Sequence, residues 1–337
     1  MRRDIVDEKL AAILEQFDIE VKNTYRSRGG TVCITEDGAK ILKEFHSSAG
    51  KLQDEYELKK SLREEGFVFI DQHLKNKQGT FFAEDRYHTI YIMKEFYEGR
   101  ECDIRNGVDV KLAAKNLARF HKCVRKIEAS ERSKNQYQPL NFLMEKRMKE
   151  MKRAKTYMEN AIKKGEFEHL YITSFLGFFE QAQEAIAICK QLGEEKEKQC
   201  LGICHGEYNQ HNVIKMEKGI ATINLEHFCY QNQLLDLHQF LRKALEKNQY
   251  DKEIAKKILS GYDQVRPFEQ GDYKILYLLL LYPDKYFKIA NHYNSRRKAF
   301  ISPKDMEKLQ DTIEQNRKKE AFLEWYQKEF SIGNREF

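Results

Sequence analysis

The stretch Leu201–Asp236 reads LGICHGEYNQHNVIKMEKGIATINLEHFCYQNQLLD and carries the most specific pattern in the chain. It opens with a short apolar run, Leu201–Cys204, which is followed by His205-Gly206-Glu207. After a turn at Glu217-Lys218-Gly219, a second apolar run leads to Asn224-Leu225-Glu226. Short apolar runs bounded by turn residues predict β-strands. Acidic and amide side chains are therefore predicted on the loops next to the strands of one hairpin.

Asn212 stands five residues after Glu207, and this layout resembles the catalytic hairpin of kinase-like phosphotransferases. In such enzymes an acid on the first loop accepts the proton of the substrate hydroxyl, and the asparagine five residues later holds a magnesium ion. A carboxylate on the following strand holds Mg²⁺ against the nucleotide phosphates. The resemblance implies that Glu207 and Asn212 are the catalytic residues and that Asn212 and Asn224 are metal ligands.

Two residues depart from this layout. Glu207 stands where the mechanism uses aspartate, and Asn224 stands where it uses a metal-binding aspartate. The extra methylene of Glu207 displaces the carboxylate by roughly 1 Å, which can lower the rate by about 10²-fold. Mg²⁺ usually needs at least one carboxylate, and Glu226 is either a substitute ligand or a solvent-facing side chain. We therefore predict that Asn224→Asp restores magnesium-dependent binding.

Two further residues of this stretch have structural roles in the layout. His205 resembles the histidine that supports the catalytic loop by packing and hydrogen bonding, and Asp236 is predicted to anchor that loop through backbone N–H groups. A zinc site is a further hypothesis, because two cysteines and two histidines are close in sequence: Cys200, Cys204, His205 and His211. Their spacing differs from that of the usual tetrahedral motifs, so we do not favour it.

Composition excludes several classes of protein. The 337 residues are 41% hydrophobic and 12% aromatic with four prolines, which indicates one large or two smaller globular units rich in helix. A net charge of +6 is too mild to predict a nucleic-acid partner. The longest apolar stretch, Ile275–Tyr282, is too short to span a bilayer. The charged N-terminus and seven cysteines without a CxxC pair favour synthesis in the cytoplasm without a secretory signal.

Residues 1–95 predict a small α+β lobe. A helix is predicted over Asp7–Gln16 and another over Gly50–Glu65. Alternating apolar residues predict strands at Ile19–Tyr25, Thr31–Thr35, Lys40–Phe45, Phe67–Asp71, Thr80–Glu84 and His88–Lys94. We predict that strands from this set form a five-stranded antiparallel sheet with one helix across it.

Residues 96–337 predict a mainly helical lobe that carries the hairpin. The predicted helices are Val108–Lys122, Leu140–Lys163, Glu166–Gln191, Leu234–Lys247, Lys252–Val265, Asp272–Leu281, Lys285–Asn294 and Pro303–Phe330. The lobe boundary is predicted near Glu95–Gly99. A nucleotide cleft would then be lined by residues Met93–Tyr97, which include Glu95 and Phe96.

Lys43 on the third strand is the predicted ligand of the nucleotide phosphates. A lysine that points inward from this strand would hold the α- and β-phosphates and pair with a helix glutamate. Glu55 is the predicted partner, because apolar residues three and seven positions later orient that helix face. The turn with Gly29 and Gly30 lies where kinase-like folds place a phosphate-covering loop, although it lacks a GxGxxG motif.

Taken in chain order, these residues resemble the aminoglycoside/choline kinase superfamily, in which HGDxxxxN precedes a strand bearing IDF or IDW. The stretch Leu281–Tyr293 (LYPDKYFKIANHY), the region around Phe67 and the helical insertion before the hairpin are similar to CotS-type spore coat proteins of endospore-forming bacteria. The resemblance implies an α+β, two-lobed protein-kinase-like fold with ATP and Mg²⁺ as candidate cofactors. It also implies deposition on the spore coat, with coat proteins as candidate partners.

Three functional hypotheses follow. The favoured one is a spore coat-associated kinase-like protein with degraded phosphotransfer activity that acts in coat assembly or ligand binding. The alternative is an active ATP-dependent O-phosphotransferase on a small hydroxylated molecule, with Glu207 as base and Asn212 plus Glu226 on Mg²⁺. The third is a nucleotide or metabolite sensor without turnover. Lys43 and Glu55 favour binding, whereas the changes at Glu207 and Asn224 favour loss of catalysis.

Overall fold

The chain forms two compact units, and the computed structural model describes residues 8–46, 48–295 and 301–332. The first unit runs to Asp103 and also contains Lys122–Glu128 and Glu207–Phe228. The second unit contains Ile104–His121, Ala129–Gly206 and the residues from Cys229 onward.

The predicted domain division at residue 95 stays a prediction. It assigned the whole hairpin to the helical lobe, whereas the structure groups Glu207–Phe228 with the strands of the first unit. Asp7, the predicted first residue of the first helix, lies outside the described residues.

In chain order the helices are α1 (Glu8–Leu14), α2 (Ala49–Glu64), α3 (Gly107–Val124), α4 (Glu131–Lys134), α5 (Leu140–Glu159), α6 (Glu166–Leu192), α7 (Glu194–Lys198), α8 (Leu234–Lys247), α9 (Lys252–Asp263), α10 (Gln270–Leu281), α11 (Asp284–Ser295) and α12 (Pro303–Glu329). The strands are β1 (Asn23–Ser27), β2 (Gly30–Thr35), β3 (Gly38–Glu44), β4 (Phe82–Glu84), β5 (Ile90–Glu95), β6 (Arg100–Glu101), β7 (Leu201–Cys204), β8 (Val213–Met216), β9 (Gly219–Thr222) and β10 (Cys229–Asn232).

A five-stranded sheet forms the centre of the first unit. Its strand order is β1-β2-β3-β5-β4, and all its pairs are antiparallel. The two-residue turn Arg28-Gly29 joins β1 to β2, with φ angles of 46° and 73°. Positive φ at both central residues gives a hairpin turn whose twist matches that of the strands, and glycine adopts it without strain.

Each face of this sheet is covered by a helix. Leu42 and Met93 pack on one face against Ile13 of α1. Ile92 packs on the other face against Leu52 of α2. Successive side chains of a strand point to opposite faces, so residues 41, 43, 92 and 94 face α2.

The predicted strand Phe67–Asp71 is wrong. Within this segment Ile70 makes a single bridge to Thr222, and Thr222 N donates to Phe69 O at 2.9 Å. Arg63 Nη2 donates to Ile70 O at 2.7 Å, so the segment lies beside β9 and α2 instead of joining the five-stranded sheet. Phe67 and Ile70 are buried by this packing whereas Val68 is exposed, so the apolar run resembles a strand in sequence but forms no strand ladder.

Helices dominate the second unit. Its core includes aromatic stacking between α6 and α11, with ring centroids 4.4 Å apart for Tyr171–Tyr286 and 4.1 Å apart for Phe178–Tyr286. β7 and β10 pair antiparallel and carry Cys204 opposite Cys229. Within the described residues, no helix is both long enough and apolar enough to cross a membrane.

Candidate functional site

Lys43 and Lys94 lie on the same face of the five-stranded sheet. In the pairing of β3 with β5, Lys43 is opposite Ile92 and Lys94 is opposite Ile41. Opposed residues of antiparallel strands point to the same side, so the two lysines are diagonal neighbours. Lys43 was a predicted site residue, whereas Lys94 was not.

The Lys94 ammonium group is buried and is bound by three side chains of the first unit. Its Nζ lies 2.8 Å from Glu226 Oε1, 3.1 Å from Asp71 Oδ2 and 3.1 Å from Asn224 Oδ1. Burial alone would lower the pKa of Lys94, but the negative charges of Asp71 and Glu226 raise it above the ordinary value. Lys94 is therefore a charged ammonium held inside the protein.

Asn224 is turned so that its amide oxygen faces the lysines. Its Oδ1 accepts from Lys94 Nζ at 3.1 Å and from Lys43 Nζ at 3.4 Å. Lysine only donates, so the Nδ2 group must point elsewhere, and it donates to Asn212 Oδ1 at 2.8 Å. The backbone N–H of Asn224 donates to Asp71 Oδ2 at 3.2 Å, and its φ of 62° is one that asparagine tolerates well.

These contacts decide whether the predicted donor set fits a magnesium ion. Asn212 Oδ1, Asn224 Oδ1 and Glu226 Oε1 each accept a hydrogen bond from a donor of the protein itself. Mg²⁺ would have to displace the Lys94 ammonium, which already lies against two of the three ligands. Among the described residues, no group of three or more acidic, histidine or cysteine side chains is arranged to hold a metal ion. The donor set therefore does not fit Mg²⁺.

The predicted ion pair between Lys43 and Glu55 is corrected by the structure. Glu55 Oε1 lies 2.6 Å from Lys59 Nζ, one turn along α2, and Lys59 Nζ lies 2.8 Å from Asp71 Oδ1. A lysine four residues after a glutamate competes for it at short range within the same helix. Lys43 instead contacts Asn224, and no carboxylate among the described residues lies within ion-pair distance of it.

His73 lies near the buried lysines Lys59 and Lys94, and its pKa is lower than the ordinary value for histidine. Burial, followed by the positive charges of Lys59 and Lys94, lowers the pKa of His73 to about 2. Below about pH 6.5 His73 binds a proton in the unfolded chain but stays neutral in the folded protein. The free energy of unfolding therefore falls as the pH falls below that value. Burial likewise lowers the pKa of His238 in the second unit to about 3, with the same sign.

We expect His73→Gln to reduce the pH dependence of stability. Each such histidine contributes up to about 1.4 kcal/mol per pH unit to the loss of unfolding free energy on acidification. The variant should lose the His73 share of the slope between about pH 6.5 and about pH 5, whereas the share of His238 remains. Urea unfolding at several pH values measures this, and equal slopes in both proteins would contradict it.

The glycine turn has a structural explanation. A Cβ at Gly30 would meet Leu42 O at 2.6 Å, so the close approach of β2 and β3 requires glycine there. A Cβ at Gly29 would meet nothing within 4 Å, and this residue is needed for its positive φ. Arg28, next to it, donates to Tyr97 O at 2.9 Å and to Gly99 O at 2.7 Å.

The predicted nucleotide-lining segment Met93–Tyr97 is largely engaged within the first unit. Met93 is fully buried in the apolar cluster on the α1 face of the sheet. The Glu95 carboxylate pairs with Arg63, and the Arg28 guanidinium lies 4.8 Å from the centroid of the Phe96 ring. Their proposed contact with a nucleotide stays a prediction.

Three of the predicted cofactor residues line one groove of about 730 Å³ in the first unit: Lys43, Gly29 and Gly30. Its walls come from α1, from β1 to β3 and from Tyr91 of β5. Leu42 and Tyr91 belong to the α1 face of the sheet, whereas the Lys43 side chain faces α2 and its Nζ contacts Asn224, so the groove and the Lys43 ammonium are separate features.

Glu207, the predicted base, is accessible. Its side chain is 45% exposed, and its Oε2 lies 3.7 Å from His227 Nε2. Its backbone carbonyl accepts from Asn212 Nδ2 at 2.9 Å and from Asn209 Nδ2 at 3.2 Å, which fixes the course of the loop. Asn212 therefore lies with one end on the Glu207 backbone and the other on Asn224.

In the second unit, Asp236 holds the residues that precede Glu207. Its carboxylate accepts from His205 N at 2.7 Å and from Gly206 N at 2.9 Å. His121 Nε2 lies 3.1 Å from the same carboxylate, and His205 packs against the Phe120 ring. The predicted anchoring of the loop by Asp236 is confirmed.

Sequence reasoning missed Lys59, Asp71 and Lys94. A signal for Lys94 was present, because it interrupts the apolar run of a central strand, and a charge buried there needs a partner. Asp71 ends the apolar segment that was assigned to a strand. The sequence does not show that β5 lies next to the hairpin loop, so it did not connect Lys94 or Asp71 to Glu226.

The sheet with its helix and the hairpin loops define a kinase-like α+β protein. A solved aminoglycoside phosphotransferase of Alicyclobacillus acidocaldarius subsp. acidocaldarius DSM 446 is similar, with a TM-score of 0.81 and 18% identity over 98% of both chains. A solved spectinomycin phosphotransferase has a TM-score of 0.65 and 12% identity over 94% of this chain and 99% of its own. The predicted kinase-like fold is confirmed.

The chain belongs to the family described as "Spore coat putative kinase YutH", whose model matches residues 11–326. It is also similar to Spore coat protein S of Bacillus subtilis (strain 168), with 20% identity over 302 residues that cover 86% of this chain and 84% of that protein. The spore coat resemblance found in the sequence is thereby confirmed at the level of the family.

Proposed function

We propose that this protein is a spore coat-associated, kinase-like protein that binds a nucleotide or another phosphorylated small molecule at Lys43 without magnesium. Metal-dependent phosphotransfer is lost or strongly degraded, and the protein acts in coat assembly or as a ligand-binding component of the coat. The observation that carries the proposal is the Lys94 ammonium, which is bound by Asn224 and Glu226.

Charge balance supports a site without metal. Around Asn224 the first unit holds three lysines and three carboxylates: Lys43, Lys59, Lys94, Glu55, Asp71 and Glu226. The carboxylates are engaged by Lys59 and Lys94, and Asn224 adds no charge. A divalent cation placed here would lack a counter-charge, which makes its burial unfavourable.

The same balance favours an anion next to Lys43. Burial and the charge of Lys94 lower the pKa of Lys43, which means that its positive charge is poorly compensated in the folded protein. A phosphate group near Lys43 Nζ supplies the missing negative charge and forms a charge-assisted hydrogen bond. Lys94, one diagonal position away, adds to the positive potential.

The relatives support a nucleotide and a coat location. The spectinomycin phosphotransferase structure contains ADP and spectinomycin, and an amicoumacin kinase structure contains AMP-PNP and Ca²⁺. The similar Bacillus subtilis protein is a spore coat protein. We therefore propose an adenine nucleotide as the first ligand to test and spore coat proteins as partners after synthesis in the cytoplasm.

One observation favours the alternative of an active small-molecule kinase. The Glu207 side chain is 45% exposed, and Asn212 Nδ2 holds the Glu207 backbone carbonyl at 2.9 Å, which supports a role of this loop residue as base toward a substrate hydroxyl. In that case Lys94 would have to leave Glu226 and Asn224 before a metal ion bound.

We expect ATP to raise the melting temperature equally with Mg²⁺ and with EDTA. A ligand selective for the folded state stabilises it by about 2.7 kcal/mol at about 100 times Kd. Lys43→Ala should remove most of this gain, whereas Lys40→Ala on the same strand should leave it intact. Absence of a shift at millimolar ATP in either condition would contradict the ligand-binding part and leave a coat scaffold.

A further inference from the structure

The second unit contains a cavity of about 290 Å³ that the proposed function does not use. Side chains from α5, α8, α10 and α11 and from β7 and β10 line it. Leu140, Met144 and Leu279 supply an apolar part. Arg147, Lys288 and His238 supply polar groups. Its size is that of a small metabolite, near the lower end for ligand pockets.

Asp284, from the LYPDKY stretch, organises the cations of this cavity. Its buried carboxylate lies 2.8 Å from Lys288 Nζ, 3.1 Å from Arg147 Nη1 and 3.6 Å from Arg242 Nε. These positive charges hold the pKa of Asp284 well below its usual range even though burial opposes this. Arg242 has a second carboxylate partner in Glu246.

Cationic groups outnumber carboxylates on the polar wall, with Arg147, Arg242 and Lys288 against Asp236 and Asp284. An arginine carries five N–H groups and a lysine three, while one carboxylate is shared by three cations. Asp236, the other carboxylate of the lining, already accepts from His205 N, Gly206 N and His121. Arg147 and Lys288 are 38% and 55% exposed, so they retain N–H groups that can reach a ligand.

We propose that this cavity binds a small organic anion through one carboxylate or phosphate group held by Arg147 and Lys288. The apolar wall formed by Leu140, Met144 and Leu279 takes the hydrocarbon part of the ligand. The site lies wholly in the second unit and does not depend on nucleotide binding at Lys43.

Calorimetric titration with two kinds of probe tests this site at fixed ionic strength. Succinate represents carboxylates and glycerol 3-phosphate represents phosphate monoesters, so whichever binds more tightly identifies the anionic group. Arg147→Gln should weaken that binding by about tenfold or more, because it removes a charge-assisted hydrogen bond. Lys149→Gln, an exposed position on the same helix outside the cavity, should leave the affinity unchanged.

A second control separates this site from the first unit. Heat from glycerol 3-phosphate bound at Lys43 should be lost in Lys43→Ala and kept in Arg147→Gln, whereas heat from binding in the cavity should show the reverse, since Lys43 does not line the cavity. No heat of binding from either probe at about 10 mM would overturn the proposal, because specific sites bind well below that concentration. Equal losses in Arg147→Gln and Lys149→Gln would overturn it as well, since they would indicate non-specific attraction to surface charge.

Discussion

We expect Lys94→Met to lower the free energy of unfolding by about 3 kcal/mol, because removing one partner of a buried ion pair leaves an uncompensated charge. Asp71 is buried and would keep one lysine, Lys59, and the backbone N–H of Asn224, and Glu226 would lose its partner at 2.8 Å. Methionine has a similar length and fills the space, so the loss reports the charge and not a cavity.

The matched control is Lys43→Met on the neighbouring strand. Lys43 contacts an amide oxygen and lies near Lys94, which repels it, so this change should alter stability by less than about 0.5 kcal/mol. Guanidinium unfolding followed by circular dichroism measures both variants. Similar losses of unfolding free energy in Lys94→Met and Lys43→Met would contradict the assignment of Lys94 as the buried lysine that is bound by carboxylates.

The double variant Lys94→Met with Asn224→Asp is expected to create a divalent metal site. It removes the internal cation and leaves three carboxylates around its former position, at 71, 224 and 226. The ammonium distances of 2.8–3.1 Å are nearer to the 2.3–2.6 Å of Ca²⁺ than to the shorter bonds of Mg²⁺, so both ions should be tested. At about ten times Kd, a metal ion should stabilise the variant by about 1.4 kcal/mol.

The single variant Asn224→Asp should not respond to metal. The new carboxylate would pair with Lys94 and Lys43, whose Nζ atoms already face that side chain at 3.1 and 3.4 Å. This outcome differs from the expectation drawn from the sequence, where one substitution was enough. Melting curves with and without Mg²⁺ or Ca²⁺ compare the three proteins, and a metal response in Asn224→Asp alone would show that Lys94 does not block the site.

Much of the fold followed from local patterns. The alternation in β2, β3 and β5 and the turn at Arg28-Gly29 are short-range features, so the five-stranded sheet could be predicted. The last helix was expected over Pro303–Phe330 and is observed as Pro303–Glu329. Its start could be predicted because Ser302 and Asp305 form a capping box there. The strand predicted over Phe67–Asp71 is absent because the backbone of this apolar run bonds to Thr222 and Arg63 and not to a strand of the five-stranded sheet.

The site was less predictable because its partners come from distant parts of the chain. The contact between Lys43 and Asn224 spans 181 positions and was not predicted, because the resemblance assigned Lys43 to the nucleotide phosphates and Asn224 to a metal ion. Glu55 was predicted to pair with Lys43 because the sequence does not show whether a glutamate pairs with a lysine of its own helix, such as Lys59, or with a lysine on a strand. Lys94 and Glu226 are 132 positions apart in sequence. The neutral Asn224 also accepts a hydrogen bond from Lys94, which nothing in the sequence indicated.

The most direct test of the account is the affinity of the unmodified protein for ATP, measured by calorimetry in excess Mg²⁺ and again in EDTA. Because Lys94 lies against the ligands a magnesium ion would use, the account predicts affinities that agree within about threefold, and no γ-phosphate release above background. A gain of about tenfold or more with Mg²⁺, together with turnover that Glu207→Gln abolishes, would contradict it and assign the protein to the active small-molecule kinases.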